Sequence, residues 1–142
     1  MISGLVAAAA LSLQLHGLSY HMGEGYIEQG QPKAYNALNL GAGIRYQFNG
    51  DWAVQAGAYR NSYYRTSAYA AADYTPFEVG GLRLGASVGL VTGYPRLREG
   101  RAAPFGGLSI RKDFESVNVI LRGIPPCAKT SGVLALELGV RF

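Results

Sequence analysis

Two histidines and a small set of hydroxyl and amide side chains are the residues of this chain best suited to chemistry. His16 and His21 lie near the start, and Asn61, Ser62 and Ser67 lie together much later in the sequence. An imidazole beside a serine takes the hydroxyl proton while the serine attacks an acyl group, so this set predicts nucleophilic acyl transfer. The alternative interpretation is structural, with histidines hydrogen-bonded to neighbours inside the fold and Ser62 serving as a turn residue.

Other kinds of site have little support in the sequence. Two histidines, one cysteine and no paired acidic spacing predict no metal site, and we expect no cofactor. No helix is predicted after Gly41 and Gly43, so these glycines indicate room for packing or curvature and not a phosphate loop. The net charge of +4 is too small for a nucleic-acid surface. Arg96, Arg98 and Arg101 suit anionic lipid headgroups, and a solvated basic loop is the alternative.

Strands are the elements that would position the candidate residues. The segment 132–142 alternates apolar side chains with small or polar ones and ends on Phe142, a pattern typical of the last strand of an outer-membrane barrel. No apolar run reaches the roughly eighteen residues that a membrane-spanning helix needs. Any insertion into a membrane must therefore use strands.

Alternation and turn residues predict eight strands along the chain. They are placed at 11–21, 38–48, 51–61, 66–76, 81–93, 103–112, 116–123 and 132–142. The connections after the second, fourth and sixth strands are short, and the others are mostly longer, as in outer-membrane barrels. The apolar positions would face lipid and the alternate polar positions the interior. We therefore predict an all-β fold, an eight-stranded antiparallel up-and-down transmembrane β-barrel.

The predicted barrel occupies residues 11–142 as a single domain. Residues 1–10 have an apolar core and small residues that suit a signal sequence or a truncated leader, but they carry no Lys or Arg. A start inside a longer gene and a different route to the membrane are equally compatible with this segment.

Several short motifs occur in an order that resembles a known family. They are Tyr35-Asn36 followed by Gly41 and Gly43, Asn61-Ser62-Tyr63, the Leu84-Gly85 strand ending near Thr92, Ile124-Pro125, and the terminal Arg141-Phe142. From about His16 onward the chain resembles the PagP family of lipid A palmitoyltransferases. The resemblance implies a Gram-negative outer-membrane barrel that moves a palmitoyl chain from a phospholipid to lipid A, with the acyl chain in an interior apolar pocket.

The resemblance also implies roles for individual residues. The catalytic histidine of the family falls on His16, and its Asp-Ser pair falls on Asn61 and Ser62, so the serine is kept and the aspartate is replaced. Asn61 lacks the charge that would stabilise an imidazolium, although its amide oxygen can orient the ring. His21 is a rival for the role of His16. Arg96, Arg98 and Arg101 would contact the phosphates of lipid A.

The expected partners are therefore membrane lipids, with no nucleic acid, and the barrel is expected to be a monomer. A non-catalytic outer-membrane barrel serving membrane integrity, adhesion or ligand passage is the alternative, supported by the missing aspartate. A soluble lipocalin-like barrel is disfavoured by the outward leucines of the first strand.

Six small residues are expected to face the interior of the barrel. They either leave room for an acyl chain or are small only because the lumen of an eight-stranded barrel is narrow. They are Gly57, Gly85, Gly89, Gly106, Gly139 and Ala135.

Overall fold

A computed structural model describes residues 10–23, 25–95, 97–126 and 132–142. Its strands are β1 (Ala10–His21), β2 (Tyr26–Glu28), β3 (Gln31–Lys33), β4 (Leu38–Gln47), β5 (Trp52–Arg60), β6 (Thr66–Val79), β7 (Leu82–Val91), β8 (Ala103–Asp113), β9 (Val117–Ile124) and β10 (Val133–Arg141). Eight of them form a closed antiparallel barrel in the order β1-β10-β9-β8-β7-β6-β5-β4. The predicted fold class is confirmed. Among the described residues, no helix is long and apolar enough to cross a membrane.

The two faces of the barrel have opposite chemistry. The outer face carries exposed apolar side chains such as Leu13, Ile44 and Leu138, whereas the buried side chains include Gln14 and Arg45. This arrangement, apolar outside and polar inside, is that of barrels that contact lipid. Exposed aromatic side chains gather near the short turns, as expected at a membrane interface. They are Phe48, Trp52, Tyr74, Phe77, Phe114 and Phe142.

The connections differ at the two ends of the barrel, as predicted. Short turns join β4 to β5, β6 to β7 and β8 to β9, and both the start of β1 and the end of β10 lie at that end. The longer connections lie at the other end, called here the long-loop end. One of them carries the β2–β3 hairpin, which the strand prediction missed.

β1 contains an irregularity that decides which side chains enter the lumen. His16 pairs with Glu137 and Ser19 with Ala135, so β1 has one residue more than β10 over this stretch. His16 and His21 lie an odd number of residues apart and would face opposite sides of a regular strand. Because the bulge absorbs one residue, both histidines line the interior cavity.

The glycines expected in the interior mostly serve strand packing. An added Cβ would lie 1.8 Å from the Tyr74 carbonyl oxygen at Gly85, 2.4 Å from the Ala42 oxygen at Gly57 and 2.3 Å from the Ala70 oxygen at Gly89. Such distances leave no room for a side chain, so these glycines do not create a cavity.

Gly106 and Ala135, two of the six small residues expected in the interior, differ from these three glycines. Gly106 was predicted to face the interior, but it is exposed on the outer face, because its neighbour Gly107 takes the inward position. Ala135, in contrast, does line the cavity.

A group of polar side chains fills the middle of the lumen, and we call it the interior charge cluster. Its members are Arg45, Gln55, Asp73, Ser87, Arg122 and Glu137, all of them buried. Arg122 lies 2.5 Å from both a carboxylate oxygen of Asp73 and one of Glu137, and Arg45 also pairs with Asp73. Two cations thus balance two anions, which offsets part of the cost of burying charge. Because the members come from six strands and meet across the interior, they close the lumen.

Candidate functional site

A cavity of about 160 Å³ lies between the interior charge cluster and the long-loop end. Arg122 and Glu137 contribute to its floor, and most of its lining is apolar or aromatic. The aromatic lining residues are Tyr35, Tyr59, Tyr63, Tyr69, Tyr94 and Phe105. A cavity of this volume holds a ligand of about the size of one benzene ring.

Ser62 and His21 meet at the wall of this cavity. His21 is the last residue of β1, Ser62 lies in the turn after β5, and the Nε2 to Oγ distance is 2.5 Å. The imidazole is held by Tyr35, which stacks on it with ring centroids 4.5 Å apart. The Ser62 carbonyl accepts a hydrogen bond from the Asn36 backbone N–H at 2.9 Å. Ser62 is 5% exposed, so its hydroxyl is reached chiefly from the cavity.

His16 has different partners from those that the resemblance implies. Its Nε2 lies 2.7 Å from the Tyr69 hydroxyl, and that hydroxyl accepts a hydrogen bond from Gln55 Nε2 at 2.9 Å. The Tyr69 hydroxyl can still donate its own hydrogen to His16 when Nε2 is the unprotonated ring nitrogen. The structure thus joins Ser62 to the rival histidine, His21, and joins His16 to Tyr69 near the cavity floor.

Asn61 braces the loop and does not orient an imidazole. Its Oδ1 accepts the backbone N–H groups of Tyr63 and Arg65 at 2.9 and 3.0 Å. Its Nδ2 donates to Ser67 Oγ at 2.9 Å and to the Gly93 carbonyl at 2.8 Å. Both polar atoms of the side chain are therefore occupied, and the predicted contact between Asn61 and a catalytic histidine is not supported by these hydrogen bonds.

Aromatic side chains from the long connections cover the cavity at the long-loop end. Tyr26 of the β2–β3 hairpin is 7% exposed, and its ring centroid lies 4.5 Å from that of Tyr63 and 5.6 Å from that of Tyr35. Tyr94, after β7, contacts Tyr63 in turn at 5.9 Å. Sequence reasoning missed these residues as a group, although Tyr35 and Tyr63 occur in two of the short motifs, and the chain has ten tyrosines.

Tyr94 also has a polar contact within the cavity wall. Its hydroxyl oxygen lies 2.7 Å from that of Tyr59, and both Tyr94 and Ser62 line the cavity. Burial raises the pKa of Tyr94, so the phenol keeps its proton.

The arginines predicted to meet lipid phosphates lie in the connection between β7 and β8. Arg98 and Arg101 are exposed, and the Arg101 guanidinium is 3.9 Å from the Glu99 carboxylate. Arg96 lies outside the described residues. This connection is at the long-loop end, the same end as Ser62, and the contact with lipid A phosphates stays a prediction.

Comparisons with known proteins identify the fold. No protein-family model matches the chain, and no curated protein sequence matches it. The structure is similar to the solution NMR structure of the de novo designed TMB2.3, with a TM-score of 0.65 and 14% identity over 96% of both chains. It is also similar to the crystal structure of the N-terminal β-barrel domain of Pseudomonas aeruginosa OprF. The TM-score there is 0.56 and the identity 18%, over 96% of this chain and 98% of that one.

At such identities the likeness concerns the fold. It supports an eight-stranded barrel of the outer-membrane type. Neither structure bears on the PagP resemblance, which stays a prediction.

Proposed function

We propose that this protein is a lipid acyltransferase of the PagP type in a Gram-negative outer membrane, with Ser62 as nucleophile and His21 as general base. The observation that carries the proposal is the 2.5 Å contact between His21 Nε2 and Ser62 Oγ at the wall of a largely apolar cavity. A base within this distance of a hydroxyl can take its proton as the oxygen attacks. The family resemblance gives this role to His16, whereas the geometry favours His21.

The proposed reaction needs only a phospholipid and lipid A. Ser62 Oγ bonds to the ester carbonyl carbon of the phospholipid while its proton passes to His21 Nε2. Breakage of the ester bond releases the glycerol oxygen, which takes that proton, and leaves an acyl-serine and a lysophospholipid. A lipid A hydroxyl then attacks the acyl-serine and gives its proton to His21, which returns it to Ser62 Oγ as the new ester forms.

The size of the cavity limits how much of the acyl chain it can hold. Its volume of about 160 Å³ corresponds to roughly six carbon atoms. The paired charges of Arg122 and Glu137 at the floor prevent deeper entry, because an apolar chain cannot replace their hydrogen bonds. We therefore propose that a short acyl chain, or one end of a longer palmitoyl chain, occupies the cavity.

The surroundings of the site support a lipid substrate. The outer face of the barrel carries exposed apolar side chains. The connection between β7 and β8, which contains Arg98 and Arg101, lies at the same end of the barrel as Ser62. Guanidinium groups bind phosphate bidentately, so we propose that Arg98, Arg101 and Arg96 contact lipid A phosphates.

A second candidate function is a non-catalytic barrel that serves membrane integrity or adhesion. Two observations favour it: Asn61 is fully used in bracing its loop, and the interior charge cluster fills the lumen. Because the interior charge cluster fills the lumen, it argues against ligand passage, which is the third activity considered for a non-catalytic barrel.

The mass of lipid A from cells that express the protein separates the two candidates. The wild type is expected to add an acyl mass that Ser62→Ala and His21→Asn abolish. His16→Asn is the matched histidine variant, and it is expected to keep a measurable fraction of the activity because His16 contacts Tyr69. Heat-shifted gel mobility must show that every variant forms a barrel. No added mass from a folded wild type, or full activity of Ser62→Ala, would contradict the proposal.

A further inference from the structure

The connection between β1 and β4 is fastened to the barrel at its two ends and loosely held between them. Before the β2–β3 hairpin, the Met22 N–H donates to the Gly132 carbonyl at 2.9 Å, and after it the Asn36 N–H donates to the Ser62 carbonyl at 2.9 Å. Within the described part of the chain, no backbone hydrogen bond joins residues 25–35 to the barrel, since β2 and β3 pair with each other. We call residues 25–35 the flap.

Two tyrosines of the flap close the cavity over the proposed reacting pair. Tyr35 lines the cavity and stacks on His21, and its ring centroid lies 5.7 Å from that of Tyr63. Tyr26 is 7% exposed and lies 4.5 Å from the same Tyr63 ring. Under this cover Ser62 is 5% exposed. The flap therefore stands between the Ser62 hydroxyl and the lipid that would react with it.

The size of the cavity explains why the flap has to move. A volume of about 160 Å³ holds roughly six carbon atoms, whereas a phospholipid also carries a glycerol, a phosphate and a second acyl chain. These groups must stay outside the cavity while the ester lies against Ser62 Oγ. The wall beside Ser62 must then open, and loops that open and close over a reacting site are a common device in enzymes.

An ion pair between Glu28 of the flap and Arg65 of the barrel acts as a latch. The two groups are 3.3 Å apart, and their side chains are 31% and 54% exposed. Glu28 lies closer, at 2.6 Å, to Lys33 within the flap itself. Among the residues that the structure describes, this is the one ion pair between the flap and the rest of the barrel. The latch is thus a single, solvent-exposed contact.

A phosphate group has the chemistry to release this latch. The Arg65 guanidinium donates one hydrogen bond to Glu28, through a single nitrogen. A phosphate takes two such donors at once, in the bidentate geometry that a guanidinium favours. Arg65 follows β5 at the long-loop end, where the exposed Arg98 and Arg101 also lie. A lipid phosphate bound there competes directly with the Glu28 carboxylate.

We propose that the flap is a lid over Ser62, and that a lipid phosphate opens it by taking Arg65 from Glu28. The proposal rests on the acyl transfer proposed above, and it adds a regulation of that site. The phosphate belongs either to the phospholipid donor or to lipid A, and the experiment below distinguishes these two sources.

Acrylamide quenching of a tryptophan in the flap measures how often the flap is open. Tyr26→Trp in a Trp52→Phe background gives a single reporter, studied in octyl glucoside micelles, which contain no phosphate. Adding Glu28→Gln should raise the quenching constant about 1.4-fold to 5-fold, the range expected for loss of an exposed ion pair. Glu99→Gln is the matched control, because its pair with Arg101 lies in another connection. Equal quenching in all three folded proteins would overturn the latch.

A second reporter guards against a local effect of the new tryptophan. Tyr35→Trp in the same background keeps an aromatic ring on His21 and should respond to Glu28→Gln in the same direction. Heat-shifted gel mobility must show that each protein forms a barrel. A response at only one of the two positions would overturn the movement of the flap as a unit.

Lipids added separately to the micelles identify the phosphate that opens the flap. Lipid A and phosphatidylethanolamine are compared at equal phosphate concentration, with sodium chloride matching the ionic strength in every sample. Increased quenching with lipid A supports release by the acceptor, and increased quenching with phosphatidylethanolamine supports release by the donor. Arg65→Gln should show raised quenching without lipid and no further response. No increase with either lipid, or an equal increase in Arg65→Gln, would overturn release by phosphate.

The quenching experiment is independent of any reaction at Ser62. Full activity of Ser62→Ala would refute the proposed acyl transfer, and the quenching would still decide whether the flap opens and what opens it. Unchanged quenching together with an inactive Ser62→Ala would refute the lid and leave the proposed reaction standing.

Discussion

Arg122 is expected to be the most important single side chain for the stability of the barrel. Its guanidinium lies 2.5 Å from both Asp73 and Glu137, and it also donates to Gln55 at 2.9 Å and to Ser87 at 2.5 Å. Removing it leaves two buried carboxylates with Arg45 as their nearby cation. Loss of one partner of a buried ion pair costs about 3–5 kcal/mol. We expect Arg122→Met, which keeps much of the side-chain volume, to lower the free energy of unfolding by about that amount.

Urea unfolding in lipid vesicles measures this change, because Trp52 is the single tryptophan of the chain and reports on the folded barrel. With urea m-values of about 1–3 kcal/mol per molar, a loss of this size lowers the midpoint by at least about 1 M. Arg101→Met is the matched control, since the Arg101 side chain is 73% exposed and should shift stability by less than about 0.5 kcal/mol. Equal midpoints for the two variants would refute the stabilising role of the cluster.

Three further predictions concern packing, membrane depth and closure of the lumen. Gly85→Ala should destabilise the barrel by about 1–3 kcal/mol in the same urea assay, because its Cβ would lie 1.8 Å from the Tyr74 oxygen; Gly106→Ala, with its nearest contact at 3.7 Å, should be almost neutral. Trp52 fluorescence should be quenched more strongly by lipids brominated near the headgroup than by lipids brominated at the chain end, and the opposite order would contradict the interfacial placement. Planar-bilayer recordings should show no steady conductance for the wild type, since the interior charge cluster fills the lumen. Stable open channels would contradict that closure.

The barrel itself was readable from the sequence because its two faces differ so sharply. Leu11, Leu13 and Leu15 alternate with Ser12 and Gln14, and the structure places the leucines outside and the polar pair inside. The short connections after the second, fourth and sixth strands and the alternation of the last strand gave the pairing of neighbouring strands. The β2–β3 hairpin escaped prediction because each of its strands has only three residues and no clear alternation.

The candidate site was only partly readable. Ser62 and the two histidines were found by residue type, but the choice between His16 and His21 depends on the bulge in β1. Gly17 lies in that stretch, and a glycine inside a strand often marks a bulge, but the sequence analysis did not use it. The role of Asn61 depends on hydrogen bonds to Ser67 and to nearby backbone groups, which follow from the closed barrel. Tyr94 lines the same cavity as Ser62 from a connection distant in sequence, so spacing gave no signal for it.

The most direct test of acyl transfer at Ser62 uses the purified barrel in mixed micelles of phospholipid and lipid A. The phospholipid carries a labelled acyl chain, and the label on lipid A is followed over time. The account predicts transfer by the wild type, none by Ser62→Ala or His21→Asn, and a labelled acyl adduct on the protein that Ser62→Ala lacks. Transfer at the wild-type rate by a folded Ser62→Ala variant, or no transfer by any folded form, would contradict it.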